Sequence, residues 1–432
     1  MKKNIVFIFY FFIIIASHLS AGELAKFLVH TEEERINAIV SVSLDGINYN
    51  TDKGELVLYE VSAEGMMPVP CQIEPGHTAR LWFVLHGVTR GHSSRKFVLR
   101  NEKKEGDSIL KPIISLRKHH NDLQLIHNER PVLSYRFGMT YPPEGVDPLF
   151  RRSGFIHPLW SPAGEELTRI QPPDHYHHYG IWGPWTKTHI DGREVDFWNL
   201  AKGEGTVKFA GFLSMVEGEV FSGFQALQKH IDFGGPGADH VALKDHVALK
   251  DQVAMKEILD LRVWNTGDKF WVIDYTTSLS SPLENGIILD AYRYGGGIGF
   301  RATELWHKDN CTVLTSENKT RIDADGSFAR WCIVEGESGI ENGRTGILFL
   351  SHPSNRMHPE PMRVWPTDAN SGRGDMFFEF TPIRYEDWEI EPSQQYALKY
   401  RMIVFDGELD AKTAERFWRS FAVMPLVKFI NN

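Results

Sequence analysis

Ile258-Leu-Asp-Leu-Arg-Val-Trp264 and Phe270-Trp-Val-Ile-Asp-Tyr-Thr-Thr-Ser278 decide the fold class. Apolar and polar side chains alternate along both, the period of a half-buried strand and not of a helix. Strand signals continue through Val132–Tyr135, Val207–Phe209, Gly346–Leu350 and Tyr396–Phe405. Upstream, Ala38-Ile-Val-Ser-Val-Ser-Leu44, Leu56-Val-Leu-Tyr-Glu-Val61, Leu81-Trp-Phe-Val-Leu85 and Lys96-Phe-Val-Leu-Arg100 are separated by Gly, Asn, Asp and Pro clusters. These are short strands joined by turns, and the first hundred or so residues read as a small β-sandwich. The charge run Asn101-Glu-Lys-Lys-Glu-Gly-Asp107 marks its boundary. Helical periodicity is confined to Ala411–Phe421, with Asp410 placed as N-cap. The expected fold is all-β: a small sandwich over residues 22–118, a large antiparallel super-sandwich over 119–432, and one C-terminal helix.

Composition narrows the functional classes. Among 432 residues, 56 Asp+Glu exceed 47 Lys+Arg, and no segment concentrates cations, which argues against a nucleic-acid partner. Lys2 and Lys3, the apolar run Ile5–Ile15 and the small residues ending at Ala21 read as a secretory signal over residues 1–21. That run is shorter than the roughly 20 residues a spanning helix needs, so export without membrane insertion is expected. Cys71, Cys311 and Cys332 are too few for a disulfide framework; Cys311 and Cys332 could pair, although buried free thiols are the commoner outcome. His240-Val-Ala-Leu-Lys-Asp245 is repeated at 246–251 and, altered, at 252–257, a local duplication far shorter than a solenoid repeat.

The densest chemistry lies between Phe155 and Asn199. His157, His175, His177, His178 and His189 fall there among Trp160, Trp182, Trp185 and Trp198. In an extended segment, His175 and His177 would share one face and His178 the other. An H-x-H pair then has metal-ligand spacing, and a His beside carboxylates is a general acid or base. The glycine cluster around Gly295, Gly297 and Gly299 lacks a following helix pattern, which excludes a dinucleotide loop and leaves close backbone approach as its reason. Arg301 and Glu304 follow it. A third polar, Pro-rich loop holds His352, Asn355, His358, Arg363 and Trp365.

The series Ser161-Pro-Ala-Gly164, Asp174-His-Tyr-His-His-Tyr-Gly-Ile-Trp182, Val195-Asp-Phe-Trp198, Gly296-Gly-Ile-Gly-Phe-Arg-Ala-Thr-Glu304, His352-Pro-Ser-Asn355, Arg363-Val-Trp365 and Tyr400-Arg401 resembles the bacterial family labelled "methane oxygenase PmoA", a domain of unknown function. The label implies a copper membrane monooxygenase, which a chain with no spanning segment contradicts. The ending from Trp388 to Gly407 resembles galactose-mutarotase-like super-sandwiches, with Ser393 where a turn Gly is usual. That resemblance implies a His working on a ring or leaving oxygen and a carboxylate handling the other proton.

The expected function is an exported carbohydrate-active enzyme acting on a small saccharide or oligosaccharide by hydrolysis, elimination or epimerisation. Its catalytic candidates are His175, His177, His178, Glu304 and Asp196; its binding candidates are Trp182, Trp198, Arg301, His352, Asn355, Arg363 and Trp365. No cofactor is expected on this reading. The alternatives are a non-catalytic glycan binder and a metal-dependent enzyme with a divalent ion on His175 and His177, joined by His352 or His358. The oligomeric state stays open.

Overall fold

The computed structural model describes residues 22–49, 54–103, 113–234, 252–340 and 343–430. The secretory-signal reading and the first two copies of the six-residue repeat fall outside them. Its third copy begins the strand Gln252–Trp264. That strand and Phe270–Ser280 form a hairpin in register, Leu261 opposite Tyr275. Phe270–Ser280 pairs in turn with Tyr396–Asp406, Tyr275 opposite Tyr400. These strands centre an eight-stranded antiparallel sheet running from Gly205–Val216 at one edge to Cys311–Thr315 at the other.

A nine-stranded sheet faces it. Leu259, Leu261, Ile273 and Tyr275 of the first sheet and Tyr135, Ile156, Ile181, Phe300 and Phe378 of the second share one buried apolar cluster. At about 1.5–3 kcal/mol for each fully buried large apolar side chain, this interface holds the sandwich together. The alternation in the sequence is therefore an alternation between this core and the outer faces.

Strands between Glu23 and Glu102 form a five-stranded and a three-stranded sheet packed around Phe27, Phe83 and Phe97. The strand Leu426–Phe429 from the far end of the chain completes the larger of them, pairing with Glu23–Thr31. Ile114–Lys118 pairs with Asp122–His127 in the nine-stranded sheet, so the large sandwich begins there. The helix Ala411–Ala422 lies between the two bodies, capped by Asp410, whose Oδ1 accepts from the Thr413 amide at 2.7 Å. Arg35 of the small sandwich donates to the carbonyls of Arg419, in the last turn, and of Val423, the residue that follows the helix. Those carbonyls have no partner inside the helix, so the contact closes its end against the small sandwich.

Two expectations about local geometry resolve here. Cys311 and Cys332 are both free. They sit on paired strands but out of register, Cys311 opposite Gly336 and Cys332 opposite Thr315, so no disulfide joins them. Gly295, Gly296 and Gly297 all have positive φ, and a Cβ on Gly296 would meet the Trp185 ring at 2.1 Å. The glycines thus permit close backbone approach.

Buried Glu360 accepts from Ser351 (2.6 Å), Asn355 (3.1 Å) and Tyr400 (2.6 Å). Burial raises its carboxyl to about 7 despite those bonds. Between its ordinary value near 4.5 and 7 the folded chain holds a proton that the unfolded chain has released, so stability falls as pH rises through that window. In Glu360→Gln this loss is absent. Thermal melts should therefore favour the variant more at pH 8 than at pH 5, and an identical difference at both would refute the assignment.

Candidate functional site

The histidine segment is a pair of turns, not the extended stretch expected from its sequence. The His175 amide bonds the Pro172 carbonyl at 2.9 Å, the His178 amide bonds the His175 carbonyl at 3.0 Å, and the Gln171 amide reaches back to the His178 carbonyl at 2.8 Å. The turns cancel the two-face alternation of a strand. His175, His177 and His178 converge, each offering a ring nitrogen within 4.8 Å of the others.

His175 Nδ1 donates to Asp174 Oδ2 at 2.7 Å, which leaves its Nε2 with the lone pair. Asp174 accepts also from Arg301 at 2.8 Å. Burial alone would raise the Asp174 carboxyl, but its bond with His175 and the Arg301 charge hold it well below the usual range. Arg301 is itself buried, bonded to Asp375 at 2.7 Å and 4.8 Å from the centre of the Trp365 ring. Asp375 takes further donors from Asn370 (2.8 Å) and Arg373. His178 is enclosed by Trp198, Trp182 and Phe377, ring centres 5.5, 5.6 and 5.1 Å away. Burial, then Arg301, keeps it neutral well below the ordinary histidine value. Burial and neighbouring His175 push His177 down to about 4.

A cavity of about 180 Å³ opens onto the three histidines, walled by Trp198, Asn199, Tyr292, Tyr294 and Trp365. A second lobe, sharing His175, Tyr294 and Trp365, reaches Arg363 and Asn370. The Tyr294 oxygen accepts from Arg363 at 2.9 Å and Trp365 Nε1 at 3.1 Å. With both acceptor positions taken, its own O–H is left to donate. Asn199 gives its amide N–H groups to Asp196, and its Oδ1 has no partner among the described residues. The lining thus combines aromatic faces, one hydroxyl donor, one amide acceptor and imidazole lone pairs.

Of the candidate residues, His175, His177, His178, Arg301, Arg363, Trp198 and Trp365 come together, with Trp182 buried beneath them. The others lie elsewhere. Glu304 has a side chain 72% exposed; its carboxylate reaches the site through Arg169, 3.7 Å away, and its carbonyl through Arg373, which also bonds Asp375. Asp196 is buried as the cap of its own turn, accepting from the amides of Trp198 (2.9 Å) and Asn199 (2.8 Å), the Asn199 side chain (2.7 Å) and Lys202. Asn355 is consumed by Glu360 and the Lys399 backbone. His352 lines a different cavity, against Phe421, and His358 stacks on Trp418. Tyr294, Asn199, Asp174 and Asp375 belong to the site although they were not among the candidates. Asp174 lay inside a quoted motif and Tyr294 directly before the glycine cluster, whereas Asp375 had no local signal.

The fold and this cavity define a two-body β-sandwich protein with a three-histidine site. The chain belongs to a family described as "Family of unknown function (DUF6807)", matched over residues 122–419. Nothing in these comparisons supports the methane-oxygenase label. No curated protein matches the chain. Among solved structures, a galactose mutarotase related enzyme from Lactobacillus acidophilus is 9% identical, covering 68% of this chain and 100% of its own, with TM-score 0.34. A TPR-domain containing protein from Parabacteroides distasonis is 11% identical, covering 88% of this chain and 57% of its own, with TM-score 0.22. Neither score carries function across. Among the described residues, no helix is long and apolar enough to cross a membrane.

These positions separate a supporting role from an exposed one. Asp196→Ala strands the buried Trp198 amide and the part-buried Asn199 amide and should cost about 1–3 kcal/mol in chemical denaturation. Glu304→Gln, on an exposed side chain, should stay within about 0.5 kcal/mol. The reverse order would contradict the placement of both.

Proposed function

We propose that the chain is a metal-dependent enzyme acting on a small saccharide. The observation that carries this reading is the convergence of three imidazoles within 4.8 Å, at the end of a cavity. Nitrogens around a tetrahedral zinc ion, at bonds of about 2.0–2.1 Å, are separated by about 3.4 Å. Small rotamer adjustments in a turn bring the three rings to that spacing. His175, with its far nitrogen bonded to Asp174, has the carboxylate–histidine arrangement that orients metal ligands. His175, His177 and His178 would hold such an ion, which when bound would supply Lewis-acid polarisation of a substrate oxygen or activation of water.

Residues of the chain supply the rest. The aromatic walls match the apolar faces of a pyranose ring, and Asn199 Oδ1 and the Tyr294 hydroxyl match sugar hydroxyls. Tyr294, with its oxygen held by Arg363 and Trp365, is the proton donor. Glu304 and Asp196 stand outside the cavity, which disfavours a metal-free mechanism on a histidine–carboxylate pair drawn from them.

A screen of mono- and oligosaccharides, with and without chelator, tests the reading. Turnover should vanish on chelation and return with a divalent ion. Tyr294→Phe should keep the metal and lose roughly a hundredfold in kcat, the scale of a lost general acid. His177→Ala should lose both metal and turnover. Undiminished turnover in stringently metal-free protein would refute it; sugar binding without turnover of any sugar tested would favour a glycan-binding module.

A further inference from the structure

We propose that a second cavity, formed where the small sandwich, the outer face of the eight-stranded sheet and the C-terminal helix meet, binds an anionic saccharide through its carboxylate or sulfate group. The cavity encloses about 300 Å³ and shares no lining residue with the histidine site. Each of the three bodies supplies part of it: Trp82 from the small sandwich, Trp264, Lys399 and Arg401 from the sheet, and Phe421 from the helix.

Its charge is concentrated at one end. Lys399 and Arg401 are two apart on one strand and so project to the same face. Arg401 gives Nε and one terminal nitrogen to Asp274, at 2.5 and 2.9 Å, and its other terminal nitrogen has no hydrogen-bond partner among the described residues. Lys399 Nζ has no carboxylate partner among them either. The His352 amide bonds the Lys399 carbonyl at 3.2 Å, which sets the ring beside both cations. His352 Nδ1 is engaged with Ser354 at 2.8 Å, leaving Nε2 available. Burial, followed by Lys399, pushes this imidazole down to about 4, an effect expected where positive charge is incompletely balanced. Arg262, at the other end, is closed off by Asp260 and Glu74. Two cations and one carboxylate therefore line this end of the cavity, with N–H groups left unused, a donor set that a carboxylate or sulfate ester satisfies.

The remaining walls suit a sugar ring. Trp82 and Trp264 lie 5.5 Å apart, and their indole N–H groups are already bonded to Glu74 and Asp274. They present only ring surface, as does Phe421, whose ring centre lies 4.7 Å from the Arg401 guanidinium. Apolar faces beside an anion-binding end match a pyranose bearing an acidic substituent.

Isothermal titration of the full chain with glucuronate, galacturonate, a sulfated monosaccharide, methyl glucoside and inorganic sulfate tests the proposal. An acidic sugar should bind, the carboxylate and sulfated arms identifying which group is preferred, and methyl glucoside should bind at least tenfold more weakly. Lys399→Met, on an exposed side chain, should weaken acidic-sugar binding tenfold or more without moving the melting temperature, while His177→Ala should leave it unchanged. Equal binding of neutral and acidic sugars, inorganic sulfate binding as tightly as the acidic sugar, binding lost in His177→Ala but kept in Lys399→Met, or no binding at millimolar concentration would each overturn it.

Discussion

Arg301 is the constraint on which the candidate site depends. A guanidinium that is 1% exposed persists only where carboxylates compensate it, and this one has two, Asp174 and Asp375. Those carboxylates come from different loops, one carrying the histidines and the other following Trp365. One buried charge thereby fixes the histidine turn, the indole wall and the strand Ile298–Arg301 relative to one another. Replacing Arg301 would leave buried Asp375 and half-buried Asp174 with Arg169, at 3.7 and 4.0 Å, as the one cation near both among the described residues, a larger perturbation than the loss of one hydrogen bond.

The chain of consequences runs from that charge to the imidazoles. Asp174, held ionised by its bond with His175 and by the Arg301 charge, fixes the proton of His175 on Nδ1, and the lone pair then lies on the nitrogen away from Asp174. His177 is held from the opposite direction, its carbonyl accepting from Trp198 Nε1 at 2.9 Å. Trp198 is in turn anchored by Asp196. A carboxylate outside the cavity thus positions one of the rings that line it.

Much of this was legible in the sequence wherever burial alone dictates structure. Alternation in Ile258–Trp264 and Tyr396–Phe405 maps directly onto core and outer faces, and the Asp410 cap marks the helix start. The site was legible as a composition and less so as a geometry. His175, His177 and His178 could be chosen, but their common orientation depends on turn hydrogen bonds that hydrophobic periodicity does not encode, although Pro172-Pro173-Asp174 is a turn signal. His352 and Asn355 were misplaced because a loop's composition does not reveal on which side of a sheet it emerges. Asp375 was missed because its decisive partner, Arg301, is 74 positions away.

The central claim is that three imidazoles form one metal-binding set. Anomalous diffraction above the zinc absorption edge, from crystals grown with zinc, addresses it directly. The account predicts a single strong peak about 2.0–2.1 Å from a ring nitrogen of each of His175, His177 and His178. No peak there, with the three rings bonded only to water or to one another, would contradict it.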